Sequence, residues 1–195
     1  NRLLQVAGIE PWATIETQGG ISMRQNYEVN QFTDGDMEYV GVYCSKSPEK
    51  PESIIVQFPN SRHTYDVRQG KYLGEVNVAP VPIRGYDGAL FARCDYAIDG
   101  ITVNVEDAER GEPLQVEIGV KTIRGGKANN RIERHVVRLE VVDPNGKSNY
   151  FYTRNIDVRD ASHRETIHTA LNDPAGQWTI RARDVISGKE AKAAF

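Results

Sequence analysis

Along "QWTIRARDV" (177–185) apolar and charged residues take turns. Trp178, Ile180 and Ala182 fall on one side of an extended chain, and Thr179, Arg181 and Arg183 on the other. A period of two is that of a half-buried β-strand, so Trp178 is expected to fill a core and the arginines to face water. The same period recurs along most of the chain. "SMRQNYEVNQFTDGDMEYVGVYCS" holds two such runs around Asp34-Gly35, a pair that favours a tight hairpin turn. "ESIIVQFP" reads as a strand. "RHTYDVRQGKYLGEVNV" reads as strand, turn at Gln69-Gly70, strand, and "VPIRGYDGALFARCDY" as a hairpin turning near Tyr86-Asp87-Gly88.

A second block follows "AIDGI", where Asp99-Gly100 is read as a seam. Its strands are "ITVNVED", "LQVEIGVKTI", "HVVRLEVVD", "YFYTRNIDV", "ETIHTAL", "QWTIRARDV" and "KEAKAAF". Turns at Asp143-Pro144-Asn145-Gly146, Asp173-Pro174-Ala175-Gly176 and Ser187-Gly188 separate several of them. "RGGKANNR" reads as a polar hairpin tip. The fold class expected is all-β: two consecutive antiparallel β-sandwich domains over residues 1–98 and 99–195, the second immunoglobulin-like with about seven strands. Residues 1–11 read as a helical stub, with Leu3, Leu4 and Ala7 at helical spacing before Gly8 and Pro11. The chain is therefore expected to be a piece of a longer protein, packed on an upstream domain.

Composition narrows the chemistry. A net charge of −3 offers no clustered basic face for nucleic acid, and no apolar run is long enough to span a bilayer as a helix. The two cysteines, Cys44 and Cys94, both lie in strand-like runs; two buried reduced thiols are expected rather than a bridge. The histidines (His63, His135, His163, His168) lack ligand spacing, so no metal is expected. His135 is in phase with Val137, Leu139 and Val141 and reads as a satisfied interior histidine. His163 and His168 read as solvated residues flanking a strand. No phosphate loop, dinucleotide fingerprint or nucleophile elbow occurs, so no cofactor and no catalytic residue is assigned.

Three rings are candidates for stacking on sugar: Trp12 beside Pro11, and Tyr150 and Tyr152, which would form an exposed strip if Phe151 turned inward. In each case the alternative is packing, for Trp12 against an upstream domain and for the tyrosines across strands. Arg124, Lys127, Arg131 and Arg134 could touch an anion or simply be solvated.

"YDVRQGKYLG" and "GALFARCDY" resemble the C-terminal β-region of large bacterial beta-galactosidase-like glycoside hydrolases. The residues that carry the resemblance are Tyr65, Asp66, Val67, Gly70, Lys71, Leu73, Gly74, Ala89, Leu90 and Phe91. The second block is similar to immunoglobulin-like modules of the macroglobulin-repeat kind. The resemblance implies a non-catalytic accessory region whose parent carries its acids in an upstream barrel. Its partners would be that upstream domain and, through the parent, further copies. The alternatives are a carbohydrate-binding module, with polysaccharide as partner, and a cell-surface stalk. An extracellular or periplasmic setting is favoured over a cytoplasmic one.

Overall fold

The computed structural model describes residues 6–8, 11–17, 26–45, 52–83, 86–129 and 132–195. Leu3, Leu4, Arg131 and most of the polar loop at 46–52 lie outside them. Among the described residues the chain is nearly all strand, paired antiparallel, in two compact units, Asn1–Asp95 and Tyr96–Phe195.

The first unit contains β1 (Thr14–Thr17), β2 (Tyr27–Asp34), β3 (Met37–Cys44), β4 (Glu52–Asp66), β5 (Lys71–Ile83) and β6 (Gly88–Cys94). They form a single sheet ordered β1-β4-β6-β3-β2, with β5 also on β4. The hairpin at Asp34-Gly35 forms as expected, with Asp34 opposite Met37. Two expectations fail. "ESIIVQFP" and "RHTYDV" are one strand, not two: β4 continues through Pro59 as an irregularity in which the register slips between Gln57 and Arg62. A bulge tolerates proline because its N–H is not needed by the ladder. Nor do β5 and β6 form a hairpin. β5 pairs with β4 along both its halves, so β6 joins the opposite side of β4 and pairs with β3.

β4 is thus shared by both ends of the sheet. Its first half pairs with β1 and its last residues with β6. The sheet curls so that Ile15, Ile54, Val56 and Phe58 enclose one core with Val40, Val42, Ala89 and Phe91. Phe58 meets Phe91 edge to face, ring centres 5.5 Å apart. Each large aliphatic or aromatic side chain buried here contributes about 1.5–3 kcal/mol. Cys44 and Cys94 are buried, and neither is in a disulfide. Cys44 lies beside Asp87, its N–H donating to the Asp87 carbonyl at 2.9 Å. Cys94 lies at the far end of β6, roughly 20 Å away at about 3.4 Å per residue, beyond the reach of a bridge.

The second unit contains β7 (Ala97–Val105), β8 (Pro113–Arg124), β9 (Lys127–Asn129), β10 (His135–Val142), β11 (Arg154–Val158), β12 (Ser162–His168), β13 (Thr179–Asp184) and β14 (Glu190–Ala194). They make two four-stranded sheets, β11-β10-β13-β14 and β12-β8-β7 with β9 on β8. Leu114, Val116, Ile118 and Val120 bury one face; Val137, Leu139, Val141, Ile180 and Ala182 bury the other. Among the described residues there are eight strands, close to the seven or so expected; the short extra one is β9, where Gly125 and Gly126 both adopt positive φ and fold the basic tip into a tight β8–β9 hairpin. Asp99 and Gly100 are not a linker. They lie inside β7, where the register slips between Ile98 and Gly100. A glycine in a strand marks a bulge as readily as a boundary.

Candidate functional site

Residues with catalytic potential meet at one buried place. His135 follows the inward phase of β10, and Asp184 the inward phase of β13. The Asp184 carboxylate accepts from His135 Nδ1 at 2.9 Å, from the Ser187 N–H at 2.7 Å and from Ser187 Oγ at 2.6 Å. The Tyr96 hydroxyl meets His135 Nε2 at 3.0 Å and accepts the Glu133 N–H at 3.0 Å.

Serine, histidine and aspartate are therefore together, but in the wrong order for nucleophilic catalysis. A catalytic serine gives its proton to the histidine, and the aspartate orients that histidine from behind. Here the aspartate stands in the middle, the serine is tied to it, and the histidine's other nitrogen is taken by Tyr96. Each buried polar group has a partner, as structural networks require. The expectation that His135 is a satisfied interior histidine holds.

The other concentration of chemistry is a cavity of about 470 Å³ in the second unit. Leu114, Val141 and Ile167 form part of its lining with Trp178, and Phe195, Tyr152, Leu171 and Asp173 complete much of the wall. Trp178 is only 7% exposed. Phe195 stacks on it at 6.3 Å with 29° between the planes, and Tyr152 tilts against it at 6.1 Å. Its indole N–H donates to the Pro174 carbonyl at 3.0 Å. Trp178 is a plug, as its phase with Ile180 and Ala182 required.

Tyr152 is built into the same cluster. Its hydroxyl donates to Asp173 Oδ2 at 2.7 Å, and the Ala170 N–H reaches that hydroxyl at 2.9 Å and the carboxylate at 2.8 Å. Burial, then the hydrogen bond to Asp173 and that residue's charge, hold the Tyr152 phenol above its ordinary value. Its contribution is therefore complete below pH ~10 and is lost as the pH rises through the raised value. Tyr152→Phe is expected to cost about 1–2 kcal/mol at neutral pH and to flatten the alkaline fall. Urea midpoints measured on both sides of pH ~10 check this; an equal loss at every pH would contradict it.

The segment holding Tyr150 is a turn, not a strand. The Asn149 side chain accepts the Phe151 and Tyr152 N–H groups at 3.0 and 3.4 Å, and the Asn149 carbonyl accepts from Thr153 at 3.0 Å. An asparagine that bonds its own following backbone competes with strand formation. Phe151 does not turn inward: it is 85% exposed and Tyr150 84%, their rings in edge contact. Trp12, 57% exposed, belongs to the first unit. The structure thus brings Tyr152 to Asp173 and Trp178; Tyr150 is exposed on the second unit and Trp12 on the first.

Of the basic tip, Arg124 lies 5.8 Å over the Tyr96 ring, and Arg134 pairs with Asp157 at 3.0 Å. His163 and His168 lie within β12 rather than beside it, and His163 approaches Glu165 at 3.4 Å. Among the described residues no group of three His, Cys, Asp or Glu is placed to hold a metal. Asp184, Tyr96 and Phe195 were not singled out from sequence, and Asp173 and Ser187 were read only as turn residues. For Asp184 a signal existed, since one more step of the alternation in "WTIRARD" puts it inside.

No family model matches the chain, and no curated protein matches it. Among solved structures it is similar to Bacteroides uniformis beta-glucuronidase, at 10% identity over 82% of this chain and 26% of that one, TM-score 0.31. It is also similar to Bacteroides uniformis beta-glucuronidase 2, at 9% identity over 92% and 28%, TM-score 0.30. A third likeness is to Ruminococcus gnavus beta-glucuronidase, at 9% identity over 95% and 44%, TM-score 0.28. The chain spans less than half the length of each of these glycosidase chains.

Proposed function

We propose that this chain is a non-catalytic accessory region of a large glycoside-hydrolase-like protein and that its role is domain packing. The observation that carries the reading is at the start of the first unit. Val6 is 85% exposed, and Trp12 leaves more than half its surface in water. Large apolar side chains exposed so near each other in sequence suit burial against a neighbouring domain. The interior supports the same reading, because the carboxylates best placed for chemistry, Asp184 and Asp173, hold loops together.

The sequence signature of the resemblance has architectural work to do as well. Asp66 Oδ1 accepts the Gln69 N–H at 3.1 Å to close the turn before Gly70, while Tyr65, Ala89 and Phe91 are buried. Calorimetry of the complete gene product and of the 195-residue chain tests the role. Trp12→Ala is expected to leave the isolated chain within about 0.5 kcal/mol of the parent sequence and to lower the melting temperature of the complete product. An unchanged complete product overturns the packing role. The second reading, a carbohydrate-binding module, draws on the exposed rings of Trp12 and Tyr150.

A further inference from the structure

Much of the charge on the second unit is matched with neighbours: Arg134 and Arg159 with Asp157, Arg154 and His163 with Glu165, Arg181 with Glu140. The outward face of the β12-β8-β7 sheet is different beyond Thr166 and Gln115, which bond to each other at 3.1 Å. Among the described residues, the side chains of Thr102, Asn104, Glu117, Lys121 and Arg164 have no hydrogen-bond or ion-pair partner. Arg164 stands opposite Glu117 in register without joining it.

The register sets these groups in rows. Thr102, Gly119 and Ser162 form one row across the sheet, and Asn104, Glu117 and Arg164 the next. Gly119 leaves the first row without a central side chain, and a β-carbon there would strike the Thr102 hydroxyl. Beside this row lies a depression of about 530 Å³ whose lining includes Thr102, Gly119, Lys121 and Ser162. A second, of about 320 Å³, shares Asn104 and Glu117 with it. The first is of a size usual for small-ligand sites, about 300–1,000 Å³. Together they follow β8 from Lys121 to Gln115, about 20 Å at ~3.4 Å per residue.

We propose that this groove binds a linear, neutral oligosaccharide lying along β8. Carboxylates accept from hydroxyl pairs, ammonium and guanidinium groups donate to ring and hydroxyl oxygens, and the Asn104 amide does both. A ligand dense in hydroxyls, each both donor and acceptor, uses such a mixture throughout its length. Asp99, Glu106 and Glu117 set against Lys121 and Arg164 leave no positive excess for a polyanion. No aromatic ring is among the lining residues, so recognition here is by hydrogen bonds rather than stacking. This proposal does not rest on the packing role, and it places sugar on a surface that includes none of Trp12, Tyr150 and Tyr152.

Amide resonances of the isotope-labelled 195-residue chain, titrated into the millimolar range with xylotetraose, cellotetraose and galactotetraose, test it. At least one of the three is expected to move signals confined to Thr102, Asn104, Gln115, Glu117, Gly119, Lys121 and Arg164. Glu117→Ala should weaken that binding about tenfold, the loss of one charged hydrogen bond, with the rest of the spectrum preserved. Tyr150→Ala should leave it unchanged. Tetragalacturonate should bind less tightly than galactotetraose. Silence with all three neutral sugars overturns the proposal, as does tighter binding of tetragalacturonate. Shifts centred on Tyr150 or Trp12 and indifferent to Glu117→Ala also overturn it, and would favour the aromatic reading instead. None of these results bears on the calorimetric test of domain packing.

Discussion

Asp184→Ala is expected to cost the second unit about 3–5 kcal/mol, as removal of the shared acceptor of a buried hydrogen-bonded network does. One substitution strands three groups: His135 Nδ1, the Ser187 N–H and the Ser187 hydroxyl all lose their acceptor. None can turn to water, because His135 and Asp184 are wholly buried and Ser187 nearly so. The Tyr96 contact to the other side of His135 is left holding an imidazole with no anchor behind it. Ser187→Ala removes only one hydroxyl and is expected to cost about 1–2 kcal/mol. Asp184→Asn keeps the shape but presents an N–H to one of the donors, so it should fall between the two. Urea unfolding followed by fluorescence in a Trp12→Phe background, where Trp178 of this unit is the remaining indole, ranks the three. If Asp184→Ala cost no more than Ser187→Ala, the central role given to the carboxylate would be wrong.

Arg93→Ala is expected to cost the first unit a comparable ~3–5 kcal/mol. Arg93 lies directly across from Glu38 in register and donates to its Oε2 at 2.6 Å. A second nitrogen donates to the Asn60 carbonyl and, at 3.1 Å, to the Asn60 side chain. The guanidinium lies 4.1 Å over the Phe58 ring. Its side chain has no exposed surface, and burial draws its pKa below the ordinary value, against the pull of Glu38. The group therefore pins the irregular stretch of β4 to both β3 and the core. Truncation leaves the Asn60 carbonyl without its donor and opens a gap beside Phe58. Arg93→Lys keeps the charge but lacks the planar fork that reaches Glu38 and Asn60 together, so it should recover only part of the loss. Hydrogen exchange reads the effect locally: protection should fall first in Phe58–Arg62. A uniform fall across both units would contradict the pinning role.

The residues that carry these two predictions show what the sequence could convey. Period-two alternation placed Trp178, Ile180, Ala182, Val137 and Leu139 correctly, because core-facing strands repeat their apolar set at every second position. The same rule, followed one residue further, reaches Asp184; a charged residue there reads as the end of a strand until a histidine and a serine are known to meet it. Arg93 was harder. An arginine in a strand reads as solvent-facing, and Glu38, Phe58 and Asn60 come from two other strands whose adjacency depends on topology. The stretch around Pro59 was read as two strands for a related reason: alternation cannot distinguish a strand end from a bulge that a distant side chain stabilises. At 149–152 the aromatic alternation was real, but a side-chain bond from Asn149 outweighed it locally. The groove along β8 left only one trace, Gly119 inside an otherwise regular strand. The side chains that line the depressions come together only once β7 and β12 flank β8.

The separation of Cys44 and Cys94 along β6 has a practical consequence. With no cross-link to form, maturation of the polypeptide makes no demand on the redox poise of its surroundings and should proceed alike in glutathione buffer and in air. Because both sulfurs are sealed inside the first unit and the second has none, their alkylation rate becomes a clock for opening events there alone.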